Sequence, residues 1–295
     1  MVKIAIIGAN GQLGTDLVKA LGERAVPLTH QDLEICDSHQ VNQVLRKLAN
    51  SGIIGVVNCA AAHKVDEIEE DAKEAFEVNV LGVRNLALAC SDLNIKLVQI
   101  STDYVFSGIK GPYSEADAPA PINVYGVSKL AGEHVIQLTC WDYLIIRTAF
   151  LFGAAGCRAK GGGNFVEAII RLGKETRKGP QVEMVSDIIV SPTFTKDLAE
   201  AIGKLIDLNE RGLFHIVNAG CCTPYEFAEE ILRLAGLRLK MIPVRSSDED
   251  FAARPKNSAL ICSKLRMLGL ELRPWEEALA AYLELKGYLN GLPKP

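Results

Sequence analysis

The chain has 295 residues, 48% of them hydrophobic and 23% charged, with a net charge of −4. That length and apolar share suit a globular protein of one large domain or two intimate ones. A slightly acidic balance with scattered Lys and Arg excludes a nucleic-acid-binding surface, and no run of about eighteen apolar residues offers a membrane span.

The first apolar run, residues 2–7, is too short for a secretory signal, and the glycines behind it match no cleavage site. It reads as a buried strand. A helix follows at Gln12–Leu21 with Leu13, Leu17, Val18 and Leu21 on one face. Further strands are expected at Ala25–Leu28, 54–58, 97–101 and Tyr143–Thr148, and helices at 38–49 (capped by Ser38), 69–91 and 123–137. Strand runs that are apolar throughout and alternate with helices predict an α/β fold, a parallel sheet covered on both faces. The right-handed crossover makes it a doubly wound, Rossmann-type sheet, assigned to residues 1–150.

Beyond Phe150 the pattern loosens: a glycine tract at 161–164, a helix from Phe165, and an irregular stretch at 186–192. Then come a helix at 195–208, a strand at 213–217, a helix at Pro224–Ala235, a polar loop at 246–255 and two tail helices. Residues 151–295 read as a smaller C-terminal substrate-binding domain, with about 185–215 returning to the first domain. None of the eight cysteines forms a C-x-x-C pair, and several sit in apolar runs such as VVNCAAA. Reduced thiols in a cytoplasmic protein are expected, and adjacent Cys221 and Cys222 fit relaxed disulfide geometry poorly. The acidic run 66–71 reads as carboxylates complementing a helix dipole. His30, His39, His63, His134 and His215 show no ligand spacing, so no metal is expected.

Gly8-Ala9-Asn10-Gly11-Gln12-Leu13-Gly14 lies between the first strand and the first helix. Glycines there permit a sharp turn, let the backbone approach a pyrophosphate at a helix N-terminus, and bring helix and sheet close. The spacing is G-x-x-G-x-x-G, and its setting points to a dinucleotide. At the end of the second strand, Leu28-Thr29-His30 carries no carboxylate to repel a 2′-phosphate, so NADPH is expected with NADH usable.

Tyr125 and Lys129 are four apart in the helical segment YGVSKLAGE and so share a face. A nearby ammonium would lower the phenol pKa from near 10 and suit Tyr125 to general acid work. Thr102, in STDYVFSG at the end of the fourth strand, stands where open α/β sheets bind ligands. Its hydroxyl can hydrogen-bond the carbonyl oxygen that Tyr125 protonates.

These segments, with GANGQLG, EVNVLGVRNLA, RTAFLFG, SDIIVSPTFTKDLA and ARPKNSAL, run through almost the whole chain. With them the chain resembles the extended short-chain dehydrogenase/reductases, and within them the dTDP-4-dehydrorhamnose reductase family. The resemblance implies hydride transfer from NAD(P)H to the C4 ketone of a dTDP-6-deoxy-4-keto-hexose, giving dTDP-L-rhamnose or a close relative. It implies that Tyr125 protonates the oxygen, Lys129 holds the nicotinamide ribose and tunes Tyr125, and Thr102 orients the ketone. It places Gly11, Gln12 and Leu13 at the pyrophosphate, Glu34 and Ile35 near the adenine, and Ala60, Ala61 and Ala62 along the cofactor. Asn79 supports the site, and Asp103, Tyr104 and Phe150 meet the sugar. The partner so implied is a dTDP-sugar, and a homodimer is allowed.

Three positions depart from the family pattern: Glu34 replaces an aspartate, Ala62 a tyrosine or histidine, and Phe150 a tryptophan. Phenylalanine keeps an apolar face but loses the indole N–H. A nucleotide-sugar epimerase or dehydratase on the same scaffold stays open as an alternative, as does a non-catalytic, NADP-binding regulatory subunit.

Overall fold

The opening run forms strand β1 (Lys3–Ile7), buried from Ile4 to Ile7. Its side chains alternate: Ile4 and Ile6 enter one core layer, Ala5 and Ile7 the other. In the computed structural model, which describes residues 2–156, 162–175, 181–246 and 252–289, five more parallel strands extend this sheet. They are β2 (Ala25–Leu28), β3 (Ile53–Asn58), β4 (Lys96–Thr102), β5 (Tyr143–Thr148) and, far along the chain, Gly212–His215. The spatial order is β2-β1-β3-β4-β5 followed by that last strand. The order reverses between β1 and β3, and the crevice outside their carboxyl ends is where doubly wound sheets take ligands.

Helix α1 (Gln12–Leu21) buries Leu13, Leu17 and Leu21 on one face of the sheet, beside Leu198, Ile202 and Leu205. The other face is covered by α2 (Ser38–Asn50) and by two later helices contributing Leu86, Cys90 and Ile136. Asp37, rather than Ser38, caps α2: its carboxylate accepts from the N–H groups of His39 and Gln40.

The helix expected at 69–91 is broken into pieces: α3 (Val65–Glu70), α4 (Ala72–Phe76), a π-helical turn at Glu77–Gly82, and α5 (Val83–Leu93). Asp71 is extended at the break and caps α4 through the Lys73 N–H. In the acidic run, Asp66 pairs with Arg254, Glu67 with Lys64, and Glu69 accepts from the Val124 N–H. That N–H belongs to α6 (Val124–Thr139), which Asn123 caps.

After β5 the chain leaves the sheet at β6 (Leu151–Phe152), passes through α7 (Phe165–Glu175) and makes β7 (Val182–Val185). It returns by β8 (Thr193–Phe194) and α8 (Thr195–Asp207) to β9 (Gly212–His215). Then follow α9 (Pro224–Ala235), β10 (Met241–Val244), α10 (Ser263–Met267) and α11 (Trp275–Leu285). The short parallel pairs β7–β10 and β6–β8 were not expected from sequence. Their strands have two to four residues, too few to show a period.

Phe152, Phe194, Phe227, Trp275 and Tyr282 centre a third core layer built by α7, α9 and α11. Cys157, Gly161 of the glycine tract and residues 247–251 of the polar loop lie outside the described residues. The seven described cysteines are free thiols; Cys90, Cys140 and Cys222 are buried, whereas Cys36 and Cys221 are exposed. Among the described residues no helix is long and apolar enough to cross a membrane.

Candidate active site

The glycine loop turns at Gly8, whose φ is +73°, a value favoured only by glycine. Gly8 also abuts the exit of β3: an added Cβ would lie 3.2 Å from the Ala60 nitrogen. At Gly14 a Cβ would sit 2.2 Å from the Gly8 carbonyl oxygen, so α1 packs onto the loop only without a side chain there. Gly11 caps α1 with no side-chain partner, and no acid stands in the first turn. The first N–H groups of α1 are thus without intrahelical acceptors, which is the chemistry an anion needs. Asn10 is exposed and Gln12 half-buried, with its Oε1 buried and lacking a partner among the described residues. These features fit a dinucleotide pyrophosphate.

Leu13 and Ile35 turn their side chains into the core, leaving only their backbone to a ligand. Glu34 accepts from the Cys36 N–H and lies 2.5 Å from His30. Leu28-Thr29-His30 at the end of β2 carries no carboxylate, and the acid that follows in the turn is tied to the backbone. Asp32 folds back to accept from the Thr29 N–H and hydroxyl at 2.8 and 2.7 Å, which lowers its pKa.

Ala60 donates its N–H to the Asn58 side chain, and the Ala61 carbonyl oxygen lies 3.1 Å from the His63 Nδ1. Ala62 is tied on both backbone groups to Asn79: its N–H donates to Oδ1 and its carbonyl accepts from Nδ2. Asn79 also donates to the Ser128 hydroxyl, which donates to the Tyr125 carbonyl. The π-helical turn therefore joins the β3 exit to α6, and Asn79 is a brace beneath the site.

Thr102 ends β4 and Tyr125 opens α6 opposite it, their hydrogen bond favouring the phenolate. Burial acts more strongly and raises the Tyr125 pKa, with Asp103 and Tyr104 adding to the rise. The expected lowering by Lys129 is not found: Thr102 is the group that lowers this pKa, and burial outweighs it. Lys129 donates to the Ile100 carbonyl at 2.7 Å, and burial pushes it down to about 8 against the opposing effect of Glu133 and, less, of Cys59. A phenol raised in this way is protonated at neutral pH, the state a proton donor requires.

The Thr102 hydroxyl donates to Asp103 at 3.2 Å and accepts from the Tyr104 N–H. Asp103 is buried, and desolvation raises it to about 6 although Ser258 and Thr102 favour its charged form. Tyr104 meets Tyr125 edge to face, ring centroids 5.9 Å apart, and is pushed up to about 12, chiefly by burial. Phe150 is half-buried with φ +42° and packs on Phe165 and Phe227 at 5.3 and 5.8 Å. Its ring belongs largely to the third core layer.

Sequence reasoning missed a buried polar group behind Lys129. Glu133 accepts two hydrogen bonds from Arg147, at 3.0 and 2.6 Å, and one from the Ser101 hydroxyl at 2.5 Å. The signal was available: Arg147 is the lone charge in the strand YLIIRT, and a buried charge needs a partner.

Residues 2–287 match the family model described as the RmlD substrate binding domain. A spore coat polysaccharide biosynthesis protein of Bacillus subtilis (strain 168) is 38% identical over 290 residues, covering 96% of this chain and 98% of that protein. The dTDP-4-keto-6-deoxy-D-glucose reductase of Streptomyces niveus is 38% identical over 285 residues, covering 93% and 94%. Among solved structures, dTDP-4-dehydrorhamnose reductase from Bacillus anthracis in complex with NADP superposes with a TM-score of 0.89. It is 39% identical, and the match covers 97% of this chain and all of that one.

Proposed function

The chain belongs to the RmlD substrate binding domain family, and from that premise we propose that it is an NADPH-dependent reductase of dTDP-activated 6-deoxy-4-keto-hexoses. The observation that carries the reading is the meeting of Thr102, Tyr125 and Lys129 at the carboxyl end of β4, beside the glycine cradle. Relatives of like length, named for reduction of dTDP-4-keto sugars, support it.

The first turn of α1 with Gly8, Asn10, Gly11, Gln12 and Gly14 would hold the pyrophosphate, and the β3 exit from Ala60 to Ala62 would flank the cofactor. When bound, the reduced nicotinamide supplies a hydride to the C4 ketone. Tyr125 gives its proton to the developing alkoxide, and Thr102 orients the same oxygen. Lys129 lies one turn from Tyr125, where its charge stabilises the phenolate left behind. Asp103 and Tyr104 stand beside Thr102, where the sugar hydroxyls would meet them.

The test is NADPH consumption with a dTDP-4-keto-6-deoxy-hexose, followed by identification of the sugar product. Stoichiometric oxidation of NADPH with formation of a 4-hydroxy sugar is expected. Binding of NADP without turnover of any dTDP-4-keto sugar would overturn the reading.

A further inference from the structure

Tyr125, Lys129 and Glu133 lie at four-residue intervals on one face of α6. Opposite them run the last residues of β4, and the contacts pair off in steps. Thr102 meets Tyr125, the Ile100 carbonyl takes the Lys129 ammonium at 2.7 Å, and the Ser101 hydroxyl donates to Glu133 at 2.5 Å. Arg147, the register partner of Ser101 on β5, closes the last step with a bidentate grip on Glu133. Glu133 is 1% exposed and Arg147 4%.

We propose that Glu133, held by Arg147 and Ser101, is a positioning residue for the reduction, keeping Lys129 charged and Tyr125 in register with Thr102. This rests on the reading of Thr102, Tyr125 and Lys129 as the reacting groups. A buried ammonium with one carbonyl partner is driven toward its neutral form by desolvation. The charged or titratable groups bearing on Lys129 are Glu133 on its own helix and the Cys59 thiol at the exit of β3. Cys59 is itself pushed up to about 12 by burial and is uncharged at neutral pH. Arg147 grips Glu133 and does not figure among the groups bearing on Lys129. Among the described residues, the Glu133 carboxylate is the charged group that favours the Lys129 ammonium. Its grip also explains why a charge pair stands behind the site at all: burial alone would favour apolar residues.

The two single changes that perturb the network act with opposite sign. Glu133→Gln keeps size and hydrogen bonding but removes the charge. Ser101→Ala keeps the charge and removes one donor that neutralises it. The readout is an NMR pH titration of protein labelled with ¹³C at lysine Cε, the Lys129 signal being identified by its loss in Lys129→Met. Glu133→Gln should lower the Lys129 midpoint by about one pH unit or more, a tenfold change in its protonation constant. Ser101→Ala should raise the midpoint. The alkaline limb of kcat should follow, moving to lower pH in Glu133→Gln, because the ammonium is the working form. A lower melting temperature in Glu133→Gln with the midpoint unmoved would reduce the pair to a structural brace and overturn the proposal. Should Glu133→Gln fail to fold, Ser101→Ala decides: a raised midpoint sustains the proposal, and an unmoved or lowered one overturns it. If the midpoints move as stated but no dTDP-4-keto sugar is reduced, the coupling stands and the functional reading is what fails.

Discussion

At Tyr125 the balance of burial against hydrogen bonding decides the chemistry. Desolvation raises the phenol pKa against its Thr102 hydrogen bond, and in the proposed reduction this phenol gives its proton to the ketone oxygen. Tyr125→Phe removes that proton and little volume. Turnover should fall by at least about 10²-fold while NADPH affinity, read by fluorescence titration, stays near that of the parent. Asp103 shows the same desolvation, with a consequence for stability. Its folded pKa, about 6, lies above the ordinary carboxylate value of 3.8, so the folded state binds more protons between those two values. Stability contributed by this group is present at low pH and lost as pH rises through 6. Asp103→Asn lacks that loss, so its melting temperature relative to the parent should climb from pH 4 to pH 6 and then level off. A difference that is flat with pH would show that Asp103 is not desolvated. Phe150 packs against the third core layer. Its contacts with Phe165 and Phe227 predict that Phe150→Ala lowers stability by about 3 kcal/mol, measured by denaturant titration, with NADPH affinity unchanged. A calorimetric titration of the same variant with the sugar nucleotide reports whether the ring also faces the sugar.

Helix α6 is set against its neighbours by glycines as much as by side chains. At Gly126 a Cβ would lie 2.2 Å from the Tyr104 carbonyl oxygen, and at Gly132 2.3 Å from that of Asn79. Both contacts are with backbone that cannot swing aside. Asn123 begins the helix by capping the Gly126 N–H and reaches across to the Ala253 carbonyl, so its first turn is fixed on two sides. Gly126→Ala must push α6 away from the turn that follows β4, and Tyr125 moves with it. Misplacement of a reacting group by about 1 Å costs on the order of 10²-fold in rate. The expected outcome is a loss of that order in kcat with the cofactor still bound. A variant with unchanged kcat would mean that Tyr125 tolerates the displacement.

Across the whole molecule, the sheet and the third core layer are joined by a small polar knot. Asp197 on α8 accepts from Asn218 at 2.8 Å and from Arg273 at 2.8 and 2.7 Å, and Asn218 also donates to the Arg273 carbonyl. Asn218 in turn accepts from the Phe194 N–H, tying the knot to β8. Arg273 is about a third exposed and Asp197 largely buried, so solvent screens part of the attraction. Arg273→Ala leaves that carboxylate with one partner and should cost about 1–3 kcal/mol. A urea transition displaced to lower concentration with an unchanged slope is expected. Division into two transitions would show instead that the two parts unfold separately.

The order of elements was legible in the sequence because it follows from local periodicity. The apolar runs of β1 to β5 and the stripe of Leu13, Leu17 and Leu21 each declare one element within a dozen residues. The Tyr125–Lys129 spacing and the glycines of the loop were legible for the same reason, as short-range geometry. What only the tertiary structure decided is whatever depends on residues distant in sequence. The parallel pairing of Val182–Val185 with Met241–Val244 is one such case. Another is the π-helical turn at Glu77–Gly82, from which Asn79 braces Ala62 against Ser128. The protonation states belong here too, since desolvation is set by everything packed around a group and not by its neighbours in the chain. A spacing of four put Tyr125 and Lys129 on one helix face, but burial, with Asp103 and Tyr104, raises the phenol pKa against the pull of Thr102.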